Sequence, residues 1–201
     1  MKREIIAILR GVQPHEALEV GAALVEEGIN QIEVPLNSPQ PLNSIARLAE
    51  VFGDKIMIGA GTVLTRQNVE DVRSAGGSFV VSPDCNAEVI TETKNVGMRS
   101  IPGVLTPTEC LTALRYGADG LKFFPASIIG PSGFAAVSAV LPKGTKTYAV
   151  GGVGPANFAD WFAVGVTGFG MGTGIYKPGM SADDVRRRAK AIVQAYNKNN
   201  L

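Results

Sequence analysis

Eight times along the chain, a short apolar run gives way to a turn and then to an amphipathic stretch of helical period. The strand-length runs fall at Ile5–Leu9, Gln31–Val34, Ile56–Gly59, Phe79–Ser82, Arg99–Pro102, Gly120–Phe124, Thr147–Val150 and Gly168–Met171. The helical stretches are Pro14–Glu27, Pro41–Phe52, Arg66–Ala75, Glu88–Asn95, Thr108–Tyr116, Ser132–Val140, Pro155–Val164 and Ala182–Asn197. Strands separated by helices need crossover connections, so they pair in parallel and are covered by those helices. A doubly wound sheet usually has fewer strands. Eight units predict an α/β fold of the (β/α)8 TIM-barrel type, compact at 201 residues. Gly28, Gly53, Gly76, Gly97, Gly117 and Gly165 each follow a helical stretch as stop signals. Start signals recur at Thr65, at Thr106-Pro107 and at Ser181. No linker or low-complexity segment divides the chain, so residues 1–201 are expected to form a single barrel domain.

Composition narrows the function. Lys plus Arg total 19 and Asp plus Glu 18, a net charge of +1, which argues against a nucleic-acid partner. No apolar run reaches the ~18 residues of a membrane span. The apolar core of Met1–Arg10 is too short for a signal peptide. Cys85 and Cys110 make neither a disulfide framework nor a zinc site, and a cytoplasmic setting is expected. The single histidine, His15, reads as an exposed helix-start residue. One histidine permits neither a Ser-His-Asp arrangement nor a multi-histidine metal site. The run Arg186-Arg187-Arg188 reads as a solvated helix face. Trp161, with Phe158 and Phe162, reads as a packing face of the seventh helix.

In a barrel, chemistry gathers at the C-terminal ends of the strands. Lys122 stands in the apolar sixth strand, where burial costs an ammonium dearly and frees the neutral amine. A neutral amine can form a Schiff base with a ketone; a structural ion pair is the alternative. Glu33, in the second strand, can be that pair's partner or the group that moves protons. Arg10 ends the first strand, ready to clamp a carboxylate or to bridge to a neighbouring loop. Thr62 follows Gly59-Ala60-Gly61 and offers a hydroxyl. Glycines cluster after the last two strands, in Val150-Gly151-Gly152-Val153 and Gly170-Met171-Gly172-Thr173-Gly174. Tight turns would use them, and so would a phosphate held by backbone N–H groups.

Ile6-Ala7-Ile8-Leu9-Arg10-Gly11, Ile32-Glu33-Val34-Pro35, Gly59-Ala60-Gly61-Thr62-Val63, Leu121-Lys122-Phe123-Phe124-Pro125 and Ala149-Val150-Gly151-Gly152-Val153 together resemble one family. It is that of the 2-keto-3-deoxy-6-phosphogluconate and -phosphogalactonate aldolases. The resemblance implies a class I aldolase on a (β/α)8 barrel, a homotrimer, with no metal and no cofactor. It implies that Lys122 is the Schiff-base lysine and Glu33 the acid/base group. Thr62 would line the pyruvate end and Pro83 and Phe124 the pocket, with Gly151, Gly152, Gly172 and Thr173 cradling phosphate. The phosphogluconate branch carries an arginine where this chain has Asn37. Arg10 and Val150 instead resemble the phosphogalactonate branch. The expected reaction is reversible cleavage of 2-dehydro-3-deoxy-6-phospho-D-galactonate to pyruvate and D-glyceraldehyde 3-phosphate. A phosphogluconate or dual-epimer aldolase is the alternative, and a non-catalytic sugar-phosphate-binding barrel the remote one.

Overall fold

The computed structural model describes residues 3–199. The chain runs β1 (Ile5–Ile8), α1 (Ala17–Glu26), β2 (Gln31–Pro35), α2 (Pro41–Phe52), β3 (Met57–Gly61), α3 (Arg66–Ser74) and β4 (Phe79–Val81). It continues with α4 (Ala87–Asn95), β5 (Arg99–Ile101), β6 (Gly103–Val104), α5 (Pro107–Arg115), β7 (Leu121–Phe123) and α6 (Ala126–Ser138). It ends with β8 (Thr147–Val150), α7 (Phe158–Ala163), β9 (Gly168–Met171) and α8 (Ala182–Asn199). All described strand pairings are parallel, in the order β5-β4-β3-β2-β1-β9-β8-β7-β6. The two end strands, β5 and β6, are neighbours in the chain, so the sheet curls into the expected barrel.

The fifth predicted strand, Arg99–Pro102, is instead two short pieces divided at Pro102. Proline has no N–H for the ladder. Its carbonyl still accepts from the Lys122 N–H at 2.9 Å, while the Ser82 N–H donates to the Ile101 carbonyl at 3.3 Å. The ladder therefore continues across the break from both sides.

Period-two alternation sorts the strand residues into two apolar layers. Ile5, Ala7 and Leu9 pack outward against the helices. Ile6 and Ile8 point inward and join Phe79, Val81, Ile101, Tyr148 and Val150 in the lumen. Outside the sheet, Phe169 stacks on Phe158 with ring centroids 4.1 Å apart, and Phe162 meets it edge-on. Phe158 and Trp161 are buried, so the seventh helix packs through the aromatic face expected of it.

Helix starts follow their capping residues. The Thr65 hydroxyl accepts from the Asn68 N–H at 3.1 Å. Thr106 and Glu109 close a reciprocal capping box behind Pro107. The Ser181 hydroxyl accepts from the Asp184 N–H at 3.2 Å. Gly28 ends α1 in the left-handed region at φ +83°, whereas Gly53 keeps helical angles at φ −58°. The largest departure is α6, expected from Ser132 but beginning at Ala126. It breaks at Gly130 (φ 62°, ψ 170°), because the residue before Pro131 is driven out of the helical region. A separate turn thus follows directly on the strand that carries Lys122. No described helix is long and apolar enough to cross a membrane.

The barrel floor is closed by a polar network. Glu4 accepts hydrogen bonds from Lys146 Nζ at 2.8 Å, Tyr148 Oη at 2.8 Å and Gln31 Nε2 at 3.1 Å. Burial alone would raise this carboxyl, but the Lys146 and Tyr148 bonds, the Lys146 charge and the Gln31 bond together hold it below its ordinary value. A depressed carboxyl stabilises the fold above its unfolded pKa and loses that contribution as pH falls through the folded pKa. Glu4→Gln should therefore cost about 1 kcal/mol at pH 7, screened at this partly exposed site, with the difference from wild type smaller at about pH 3, below the ordinary carboxyl range. Urea melts at both pH values check this, and an equal gap at each would refute it.

Candidate active site

A cavity of about 570 Å³ opens at the C-terminal ends of the strands. Arg10, Glu33, Thr62, Lys122, Phe124, Val150, Gly151, Gly152, Gly172 and Thr173 all line it. These residues are spread over six strand ends and the segments that follow them. The barrel alone brings them together.

Register sets the two ionisable groups. Glu33 pairs with Ile8 on one side and with Gly59 on the other, so it shares the inward phase of Ile8. Lys122 pairs with Tyr148 and shares its inward phase. Both side chains stand on the lumen cluster and line a small internal void with Ile8, Val81, Ile101 and Tyr148. Glu33 is 2% exposed and Lys122 is 6% exposed.

Burial raises the Glu33 carboxyl to about 7, against the opposing pull of Lys122 and Arg10. Its Oε2 has no hydrogen-bond partner among the described residues. Gly61 makes room for the carboxyl: a Cβ there would sit 1.5 Å from Glu33 Oε2. Burial likewise lowers the Lys122 ammonium; Glu33 opposes the shift and Arg10 adds to it. Lys122 Nζ lies 4.6 Å from the centroid of the Phe124 ring. The low dielectric thus moves both groups toward their neutral forms.

Arg10 donates through Nη1 to Asn37 Oδ1 and through Nη2 to Thr62 Oγ1, the latter at 3.5 Å. Both partners are neutral, so the guanidinium is oriented without being paired. Asn37 therefore reaches the cavity through Arg10 rather than by lining it. Thr62 adopts φ +56°, a strained angle for a β-branched residue. Pro83, expected at the pocket, is absent from its lining. The loop after β4 is drawn sideways onto β6, where the Gly103 N–H donates to the Asp84 carbonyl at 3.1 Å. Pro83's own carbonyl lies where a Cβ on Gly103 would come within 2.2 Å.

On the opposite side of the mouth, Gly151 and Gly152 have φ of +91° and +80°. A Cβ on Gly152 would come 2.8 Å from Ser127 Cβ, in the turn that opens α6. The Ser127 N–H donates to the Gly151 carbonyl at 3.0 Å. Space beside Gly172 is open to 4 Å. Tyr176, Lys177 and Pro178 also line the cavity, and no strand or helix period marks them in the sequence. Tyr176 Oη donates to Glu16 Oε1 at 2.5 Å, and Pro178 lies against Gly11. His15 is exposed and outside the cavity. Among the described residues, no three His, Cys, Asp or Glu side chains form a group able to hold a metal ion.

The raised Glu33 carboxyl has a cost that pH reveals. The unfolded chain sheds this proton near pH 4, the folded chain near 7, so wild-type stability falls between those values. Glu33→Gln escapes the loss. It should match wild type near pH 4 and exceed it by roughly 1–3 kcal/mol at pH 8. Denaturant melts at both pH values measure this; a less stable variant at pH 8 would sink the assignment.

Known proteins carry the same pattern. Residues 1–190 match the family described as "Aldolase: KDPG and KHG aldolase". The chain is 52% identical over 197 residues to the "Probable 2-dehydro-3-deoxy-6-phosphogalactonate aldolase" of Rhizobium meliloti (strain 1021), covering 98% of this chain and 93% of the relative. It is 43% identical over 197 residues to the 2-dehydro-3-deoxy-6-phosphogalactonate aldolase of Escherichia coli (strain K12), covering 98% and 96%. A solved structure described as "Native KDPGal structure" superposes with a TM-score of 0.98 at 42% identity, covering 100% of this chain and 97% of that one. A buried lysine and glutamate at the mouth of a parallel barrel, on a chain matched along nearly its whole length, thus place this protein in the KDPG and KHG aldolase family.

Proposed function

We propose that this chain is a class I aldolase that reversibly cleaves 2-dehydro-3-deoxy-6-phospho-D-galactonate to pyruvate and D-glyceraldehyde 3-phosphate. One observation carries the chemistry: Lys122 and Glu33 share a cavity whose burial moves both toward neutrality. The neutral Lys122 amine attacks the C2 ketone, and the carbonyl oxygen takes a proton from the Glu33 carboxyl. The Glu33 carboxylate then takes a proton from the nitrogen and returns it to the hydroxyl, which leaves as water to give a cationic imine. That imine accepts the electron pair of the C3–C4 bond as the Glu33 carboxylate, or water it holds, takes the C4 hydroxyl proton. The aldehyde departs and an enamine remains. Protonation at C3 and hydrolysis of the imine release pyruvate and restore the amine.

Substrate ends are assigned by the same cavity. Arg10, oriented by Asn37 and Thr62, suits the carboxylate with its planar fork. Gly151, Gly152, Gly172 and Thr173 suit the phosphate, with Phe124 beside Lys122. Holding both ends fixes the reacting carbon against the amine. The family resemblance supports a homotrimer in the cytoplasm, and both cysteines are free thiols. Incubation with pyruvate and borohydride should give a stable adduct by intact-protein mass spectrometry, mapped by digestion to Lys122 and lost in Lys122→Met. Folded wild-type protein without an adduct would overturn the imine mechanism.

The names of the two relatives described above and the side chain of Val150 favour the galacto epimer. Val150 is 6% exposed and offers the sugar no hydrogen bond. Threonine there would add a hydroxyl on the same stem. Val150→Thr should shift the ratio of kcat/KM toward the gluco epimer by about tenfold, or ~1.4 kcal/mol. Assays with the two phosphorylated keto acids decide it; an unchanged ratio removes Val150 from the specificity determinants.

A further inference from the structure

We propose, on the basis of the aldolase function above, that Arg188 is a positioning residue holding the Gly172–Gly174 segment in its phosphate-binding shape. Of the three consecutive arginines on α8, two are spent on carboxylates. Arg186 binds Glu26 and Asp183, and Arg187 binds Asp184. Arg188 has no carboxylate partner among the described residues. Its Nη1 donates instead to the carbonyls of Thr173, at 3.0 Å, and Gly174, at 3.4 Å.

Those carbonyls need an outside donor. Gly172 to Tyr176 form one helical turn, with the Ile175 and Tyr176 N–H groups donating to the Gly172 carbonyl at 2.9 and 3.1 Å. If the helix continued, the Thr173 and Gly174 carbonyls would accept from residues 177 and 178. The chain leaves the helix after Tyr176, and Pro178 has no N–H. Arg188 supplies both missing bonds from a helix anchored by buried Val185, Ala189 and Ile192.

The peptide plane converts that grip into orientation. In a trans peptide, C=O and N–H point opposite ways. With the Thr173 carbonyl turned toward α8, the Gly174 N–H turns away from it. The N–H groups of Thr173 and Gly174 have no protein acceptor among the described residues, and both residues line the cavity. Arg188 thus works from behind the loop, without lining the cavity. Its charge also adds to the field at the phosphate end.

Titration of wild type, Arg188→Lys and Arg188→Met with inorganic phosphate by calorimetry tests this directly. Arg188→Met should weaken phosphate binding about tenfold, and Arg188→Lys, with one compact donor, about threefold. In aldol condensation with pyruvate, Arg188→Met should raise KM for D-glyceraldehyde 3-phosphate to a similar extent with kcat within about twofold. Kinetics with unphosphorylated D-glyceraldehyde should not change. Wild-type phosphate affinity in Arg188→Met, or an equal loss with both aldehydes, would overturn the assignment. Should Arg188→Met not fold, Arg188→Lys alone decides: affinity equal to wild type refutes the role. Pyruvate trapping at Lys122 is read separately, so failure of the imine chemistry is distinct from failure of Arg188.

Discussion

Desolvation of two opposite charges is the constraint on which the site depends. Lys122 and Glu33 stand on a floor of isoleucine, valine and tyrosine side chains. In water, amine and carboxyl would both be charged at neutral pH. In the barrel mouth, burial penalises each charge more than the other's presence repays it, so both shift toward neutrality. An amine without its proton and an acid with one are what addition to a ketone requires. Reactivity here comes from placement in a poor solvent for ions, and the barrel supplies that solvent.

Two glutamates in one barrel make the point by contrast. Glu4, partly buried, closes the floor, and Glu33, buried, opens onto the mouth. Glu4 is met by three donors and lies below its ordinary value. Glu33 Oε2 is met by none among the described residues, and the carboxyl rises to about 7. Burial pushes both the same way and pushes Glu33 further; at Glu4 the donors and the Lys146 charge outweigh it, and at Glu33 the charges of Lys122 and Arg10 do not. The floor is built for stability, and the mouth leaves one carboxyl unsatisfied where chemistry can use it.

What the residues announce depends on whether their signal is local. Strand and helix order follows from periodicity and caps, and Thr65, Thr106 and Ser181 begin their helices as expected. Lys122 and Glu33 are conspicuous because an apolar strand normally excludes them. Other features depend on tertiary contacts with no local mark. Pro102 splits a strand that continues as a ladder, and Ser127 comes to lie against Gly152 because α6 starts early. Pro83 lies outside the cavity lining, next to Asp84, whose carbonyl is bonded to Gly103. Arg188 sits in a run that reads as solvated surface, yet its guanidinium meets carbonyls fourteen and fifteen residues earlier.

The segment from Gly61 to Val63 shows how strain is held in place. Gly61 has no room for a side chain, because the Glu33 carboxyl occupies it. Thr62 then turns through φ +56°, a conformation costing about 1–3 kcal/mol for such a residue. Glycine at this position would relax the backbone but remove the hydroxyl that meets Arg10. Hydrogen bonds hold the residues on either side. The Gly61 carbonyl accepts from Leu36 at 2.8 Å, and the Val63 carbonyl accepts from the Ser82 hydroxyl at 2.8 Å. Val63 is itself fully buried. Three successive residues thus serve the carboxyl, the guanidinium and the core in turn, and the strain falls on the middle one, whose neighbours are held by the carboxyl on one side and by burial on the other.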